Sequence, residues 1–97
     1  MNLFDPTLPQ KGENFTTLLE HKKIKVVRIV SSDDVESMEY RQEEDEWVVI
    51  IEGEATLLID EREQRLKRGD SILIPAHTPH RVLKTAKGTI WLALHIF

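Results

Sequence analysis

After residue 13 the chain is a succession of short apolar or alternating runs, cut at intervals near ten residues by turn chemistry. No run keeps a helical period over ten or more residues, so a helical fold is excluded from the start. Ile24–Val30 is β-branched and predicts a strand. Trp47–Ile51 is apolar on both faces, the pattern of a strand covered on both sides. Glu52-Gly53-Glu54 is a tight turn in which Gly53 is free to take positive φ, and Ala55–Ile59 is the return strand. Gln64–Lys67, Ser71–Ile74 (ended by Pro75), His80–Lys84 and Thr89–Phe97 predict further strands. Phe15–Leu19 reads as a strand or as one helical turn, and Val35–Gln42 alternates loosely. Eight or nine short strands so spaced predict an all-β sandwich or small barrel.

Ninety-seven residues suffice for one core and not for two, so residues 1–97 are expected to form a single domain. Pro6, Pro9 and Gly12 make residues 1–13 an irregular N-terminal arm. The absence of cysteine excludes a disulfide framework, a thiolate zinc site and a cysteine nucleophile. A net charge of −4 speaks against a nucleic-acid partner, because phosphate binding needs a clustered positive field. No basic leader precedes an apolar stretch, and no unbroken apolar run exceeds the five residues seen in Trp47–Ile51. A cytoplasmic protein with no membrane partner is expected. The serines lack a Gly-x-Ser-x-Gly context, and four glycines form no phosphate-cradling loop.

Two spacings carry chemistry. Glu46 is followed after six residues by Gly53, and Gly69 is followed after five by Pro75 and then by His80. Together these segments resemble the two sequence motifs of the cupin family, small β-barrels of the jelly-roll type, and the likeness extends from Tyr40 to Lys84. The departures are specific. Tyr40 and Gln42 stand where the family has His-x-His, His77 stands at the glycine of Pro-x-Gly, and Lys84 replaces the final Asn. The resemblance implies one divalent metal held by the motif histidines and Glu. Here Glu46 and His80 match that set, and Gln42 is the third candidate through its amide oxygen.

Residues two apart on a strand share a face. Tyr40 with Gln42, and Glu46 with Val48 and Ile50, would therefore point into such a barrel, Val48 and Ile50 filling its closed end. The candidate pocket is Tyr40, Gln42, Glu46 and His80, with His77 at the mouth and His95 on the last strand. Tyr40 needs a partner for its phenol if buried, and Glu46 is the expected one. The acidic residues Glu43, Glu44 and Asp45 are expected to form a solvated turn. Trp47, Val49 and Ile51 would point outward, a patch large enough to predict a homodimer. The expected function is binding of a small molecule in the interior pocket, either metal-free or with iron, manganese, nickel or zinc. The alternatives are a metal-dependent dioxygenase or isomerase, which requires His95 or His77 to reach the metal, and a non-catalytic sensor or partner-binding module that uses the outer face.

Overall fold

The computed structural model describes residues 1–97, and every regular element in it is a strand. The strands are β1 (Glu13–His21), β2 (Ile24–Ser31), β3 (Asp45–Glu52), β4 (Glu54–Ile59), β5 (Arg62–Lys67), β6 (Ser71–Ile74), β7 (His80–Thr85) and β8 (Thr89–Ile96). With no helix at all, none is long and apolar enough to cross a membrane. The strands form two antiparallel sheets, one of five in the order β1-β2-β8-β3-β6 and one of three in the order β5-β4-β7. This is the all-β jelly-roll architecture expected from the strand spacing and motifs.

The core follows from period two. On β3, Glu46, Val48 and Ile50 are buried, while Trp47, Val49 and Ile51 face out. Val48 and Ile50 pack with Leu57, Leu66, Ile74 and Trp91 between the sheets. Full burial of each such side chain stabilises by roughly 1.5–3 kcal/mol. Gly53 joins β3 to β4 at φ +88, and a Cβ there would meet Thr89 Oγ1 at 2.5 Å and Thr89 Cα at 2.9 Å. The turn therefore needs glycine for its conformation and for its close approach to β8.

One alternative is decided and one expectation corrected. Phe15–Leu19 lies within β1, which removes the helical alternative. Val35–Gln42 is not a strand: it makes one isolated bridge, Tyr40 to His80, and Glu36 through Arg41 are exposed. Neither of its alternating faces is apolar enough to gain from burial against a sheet. The N-terminal arm docks rather than frays. Arg28 Nη1 donates to the Asn2 carbonyl at 3.2 Å, Asn14 Nδ2 donates to that of Thr7, and the Ser32 hydroxyl donates to that of Gly12.

Five strands against three leave part of the larger sheet's inner face without a facing strand. That part is β1, where Phe15 is 63% exposed, and a cavity opens beside it.

Candidate functional site

The cavity has a volume of about 350 Å3, and nine of its sixteen lining side chains are hydrophobic. It is within the size range that holds a small molecule. Its polar groups gather at two poles.

The first pole is built where β3, β7 and β8 meet. Glu46 on β3 lies directly opposite His95 on β8 in the ladder. Tyr40 and His80 exchange two backbone hydrogen bonds, of 2.8 and 3.0 Å, which set the first residue of β7 against the 40–45 segment. The His77 amide donates to the Gln42 carbonyl at 2.7 Å, and the Ala76 amide donates to Asp45 Oδ1 at 2.8 Å. These bonds staple the loop after Pro75 beside the strand that carries Glu46.

Glu46 is 7% exposed. Gln42 Nε2 donates to its Oε1 at 2.9 Å. His80 Nε2 stands 3.9 Å from Oε1, and His95 Nε2 stands 3.9 Å from Oε2. Neither distance is a hydrogen bond. The other nitrogen of each ring is engaged: His80 Nδ1 is 3.0 Å from the Thr78 carbonyl, and His95 Nδ1 is 2.8 Å from Glu44 Oε2. A carbonyl and a carboxylate can only accept, so both Nδ1 atoms donate. With Nδ1 of each ring donating, Nε2 is the nitrogen left on each, and both Nε2 atoms lie beside the same carboxylate. Two imidazoles oriented through Nδ1 by a carbonyl and a carboxylate are the usual support of metal-binding histidines.

The donors stand wider apart than the ligands of a bound ion would. No three His, Asp or Glu side chains are close enough together to hold one without moving. Ligands about 2.0–2.2 Å from a metal lie roughly 3.0–3.5 Å from one another, so the imidazoles would have to close on Glu46 and on each other to share an ion.

The sequence-predicted residues separate accordingly. Glu46, His80, Gln42 and His95 come together, and Tyr40 lines the mouth. Gln42 turns its amide nitrogen to the carboxylates and holds Glu46 through the bond to Oε1. The expected bond from the Tyr40 phenol to Glu46 is absent. Tyr40 is 46% exposed and instead tilts over the His80 ring, with centroids 6.0 Å apart. His77 is no part of the cavity wall: it is exposed at φ 63, a left-handed conformation that accounts for the family's glycine at this position. The solvated acidic turn is corrected at Glu44, which is half-buried and holds His95. Alternation would have placed it, since Gln42, Glu44 and Glu46 are two apart.

The second pole was not foreseen. Glu13 on β1 pairs with Ser31 on β2 and lines the cavity. The Ser31 hydroxyl donates to Glu13 Oε2 and accepts the indole N–H of Trp91 at 2.9 Å. Burial raises the Glu13 carboxyl above its ordinary value, and the Ser31 hydrogen bond opposes that shift without cancelling it. Period two again carried the signal, because Glu13, Phe15 and Thr17 share a face. Lys25, two residues before Val27 on the inner face of β2, also lines the cavity.

Comparison with known proteins adds the following. A family model described as a cupin domain matches residues 26–96. A candidate mannose-6-phosphate isomerase of Ralstonia eutropha JMP134 is 34% identical with a TM-score of 0.88, over 99% of this chain and 95% of that one. An RmlC-like cupin from Shewanella frigidimarina is 21% identical with a TM-score of 0.80, over 88% of this chain and 76% of that one. The cupin domain of an XRE-family transcriptional regulator from Enterobacter cloacae is 17% identical with a TM-score of 0.78, over 90% of this chain and 98% of that one. The last two likenesses concern the fold alone. No curated protein sequence matches the chain.

Proposed function

The chain belongs to the cupin family, and from that premise we propose that it binds a small molecule in its interior cavity, beside a divalent metal held by Glu46, His80 and His95. The observation that carries the reading is the pair of Nε2 atoms, each 3.9 Å from a different oxygen of one buried carboxylate. Their Nδ1 partners leave both Nε2 atoms beside one carboxylate, so two nitrogens and an acidic oxygen border the same space, a donor set that suits a cation. The donor set is two histidines and a carboxylate, the ligand type that suits iron, manganese, nickel and zinc. His95 supplies the second histidine that the motif positions lack, since Tyr40 and Gln42 occupy them.

A bound divalent ion would act as a Lewis acid toward an oxygen of the ligand. The chain's own residues do the rest. Gln42 holds Glu46 in place, Glu44 fixes the His95 ring, and Val48 and Trp91 form the water-excluding wall. The Ralstonia neighbour favours an isomerase as the second reading. An enzyme requires open coordination positions, and three protein ligands leave them.

We also propose that the chain pairs with itself through the outer face of the larger sheet. Trp47 lies between Leu73 and Leu94 in the ladder, and Val49 lies beside Leu92. Leu73 is 52% and Trp47 36% exposed. The docked arm covers Arg28 on this face and leaves that cluster open.

Thermal unfolding with added Mn2+, Ni2+ or Zn2+ tests the metal site. At a hundredfold excess over Kd, binding stabilises by about 2.7 kcal/mol, which in a chain of this size raises Tm by about 10–20 °C. Glu46→Ala and His95→Ala should abolish the rise. A rise of equal size in both variants, or none in the wild type with any ion, contradicts the site.

A further inference from the structure

We propose that Glu13, clamped through Ser31 to the indole of Trp91, is a second recognition point of the cavity, and that the ligand presents a hydroxyl or amino group there and bears neither phosphate nor carboxylate. The inference rests on the cavity being the binding site and specifies what enters it.

The clamp is directional. An indole N–H can only donate, so the Ser31 hydroxyl accepts it and must spend its single proton on Glu13 Oε2. Ser31 is 0% and Trp91 3% exposed, so neither can turn to solvent instead. One Glu13 oxygen is thereby fixed from behind. The other makes no bond within the protein, and the residue lines the cavity. A half-buried carboxyl whose ionised form is disfavoured gains from a donor or a positive charge brought by the ligand.

Charge weighs against the anionic alternatives. Glu13 and Glu46 both line the wall, Glu44 stands behind His95, and Lys25 is the one lysine or arginine among the lining residues. Phosphate recognition relies on arginine forks, clustered lysines or a helix N-terminus, and this chain has no helix. A divalent ion at Glu46 would not reverse the balance, because Glu44 and Glu46 together offset its two charges. Ionised, Glu13 repels a phosphate; protonated, it offers a single neutral hydrogen bond. Between the two poles the wall is Val27, Ile29 and Trp91, which suits an apolar body or the apolar face of a ring.

Four probes with one ring body separate these cases: phenethylamine, 2-phenylethanol, phenethyl phosphate and 3-phenylpropionate. Binding is read from the two indole N–H resonances. Trp91 lines the cavity, and Trp47, on the outer face, is the internal control. The amine and the alcohol should shift Trp91 and not Trp47. Glu13→Gln should weaken the amine by about tenfold or more, the effect of losing one charge-assisted bond. Glu13→Asp, which keeps the charge but withdraws it by one methylene, should also weaken it and guards against a folding defect in the first variant. The proposal is overturned if phenethyl phosphate or 3-phenylpropionate binds more tightly than the amine, or if both variants bind the amine as the wild type does. Failure of all four probes to move Trp91 would instead overturn the cavity as the binding site.

Discussion

Ser31→Ala removes one oxygen from the centre of the chain Glu13–Ser31–Trp91, of which Ser31 and Trp91 are buried. The Trp91 indole loses its only acceptor, and a buried donor left unpaired costs about 1–3 kcal/mol. Glu13 loses the hydroxyl that favours its ionised form, a smaller effect because Glu13 reaches the open cavity. The sum is about 1–4 kcal/mol, a large share of the roughly 5–15 kcal/mol that stabilises a domain. Urea unfolding followed by circular dichroism would show it as a lower midpoint with an unchanged slope. A double-mutant cycle assigns the cause. Trp91→Phe keeps a ring in place but removes the donor, so in that background Ser31→Ala should cost about 1–2 kcal/mol less than it does alone. Additivity within about 0.5 kcal/mol would refute the reasoning, because it would mean that the indole does not depend on Ser31.

Three further outcomes are expected. Since the Glu13 carboxyl is raised above 4.5 in the folded chain, the folded state takes up a proton there that the unfolded state has already lost, so this contribution to stability is complete below pH 4.5 and is lost as pH rises through the folded value. The wild type should therefore lose stability relative to Glu13→Gln across that window; Lys25, Glu46, His80 and His95, which share the cavity, are common to both proteins, and a difference that does not vary with pH contradicts the burial of Glu13. Gly53→Ala combines a left-handed conformation with a contact of 2.9 Å to the Thr89 Cα and should destabilise by about 2–4 kcal/mol in the same urea assay, with a cost below about 0.5 kcal/mol counting against the tight turn. Val49→Lys places a charge in the open cluster of the outer face and should yield a monomer by sedimentation velocity, whereas an unaltered dimer would move the interface elsewhere.

The fold was legible because strands declare themselves by alternation and the turns by their chemistry. Glu46, Val48 and Ile50 point inward as their spacing requires, and Gly53 takes the positive φ its turn demands. Val35–Gln42 misled because loose alternation between two polar faces supplies no reason to pair. The first pole of the cavity was half legible. Glu46 and His80 sit at motif spacing, whereas His95 joins them through a ladder between β3 and β8, separated by about half the chain. No local pattern encodes that partnership. Glu13 was hidden differently: the prolines of the arm made residues 1–13 read as irregular, although Glu13 opens β1 and its face continues through Phe15 and Thr17. His77, expected at the mouth from its place in the Pro-bounded loop, is exposed and outside the cavity wall, with a left-handed backbone.

Glu46, His80 and His95 are proposed to form one metal centre. Anomalous diffraction from a crystal of the wild-type protein soaked in Mn2+, recorded above and below the manganese edge, tests it most directly. A single strong peak is expected inside the barrel, about 2.0–2.3 Å from a Glu46 oxygen and from both Nε2 atoms, and it should be lost in Glu46→Ala crystals. A cavity without a peak under conditions in which manganese binds elsewhere on the protein would contradict it.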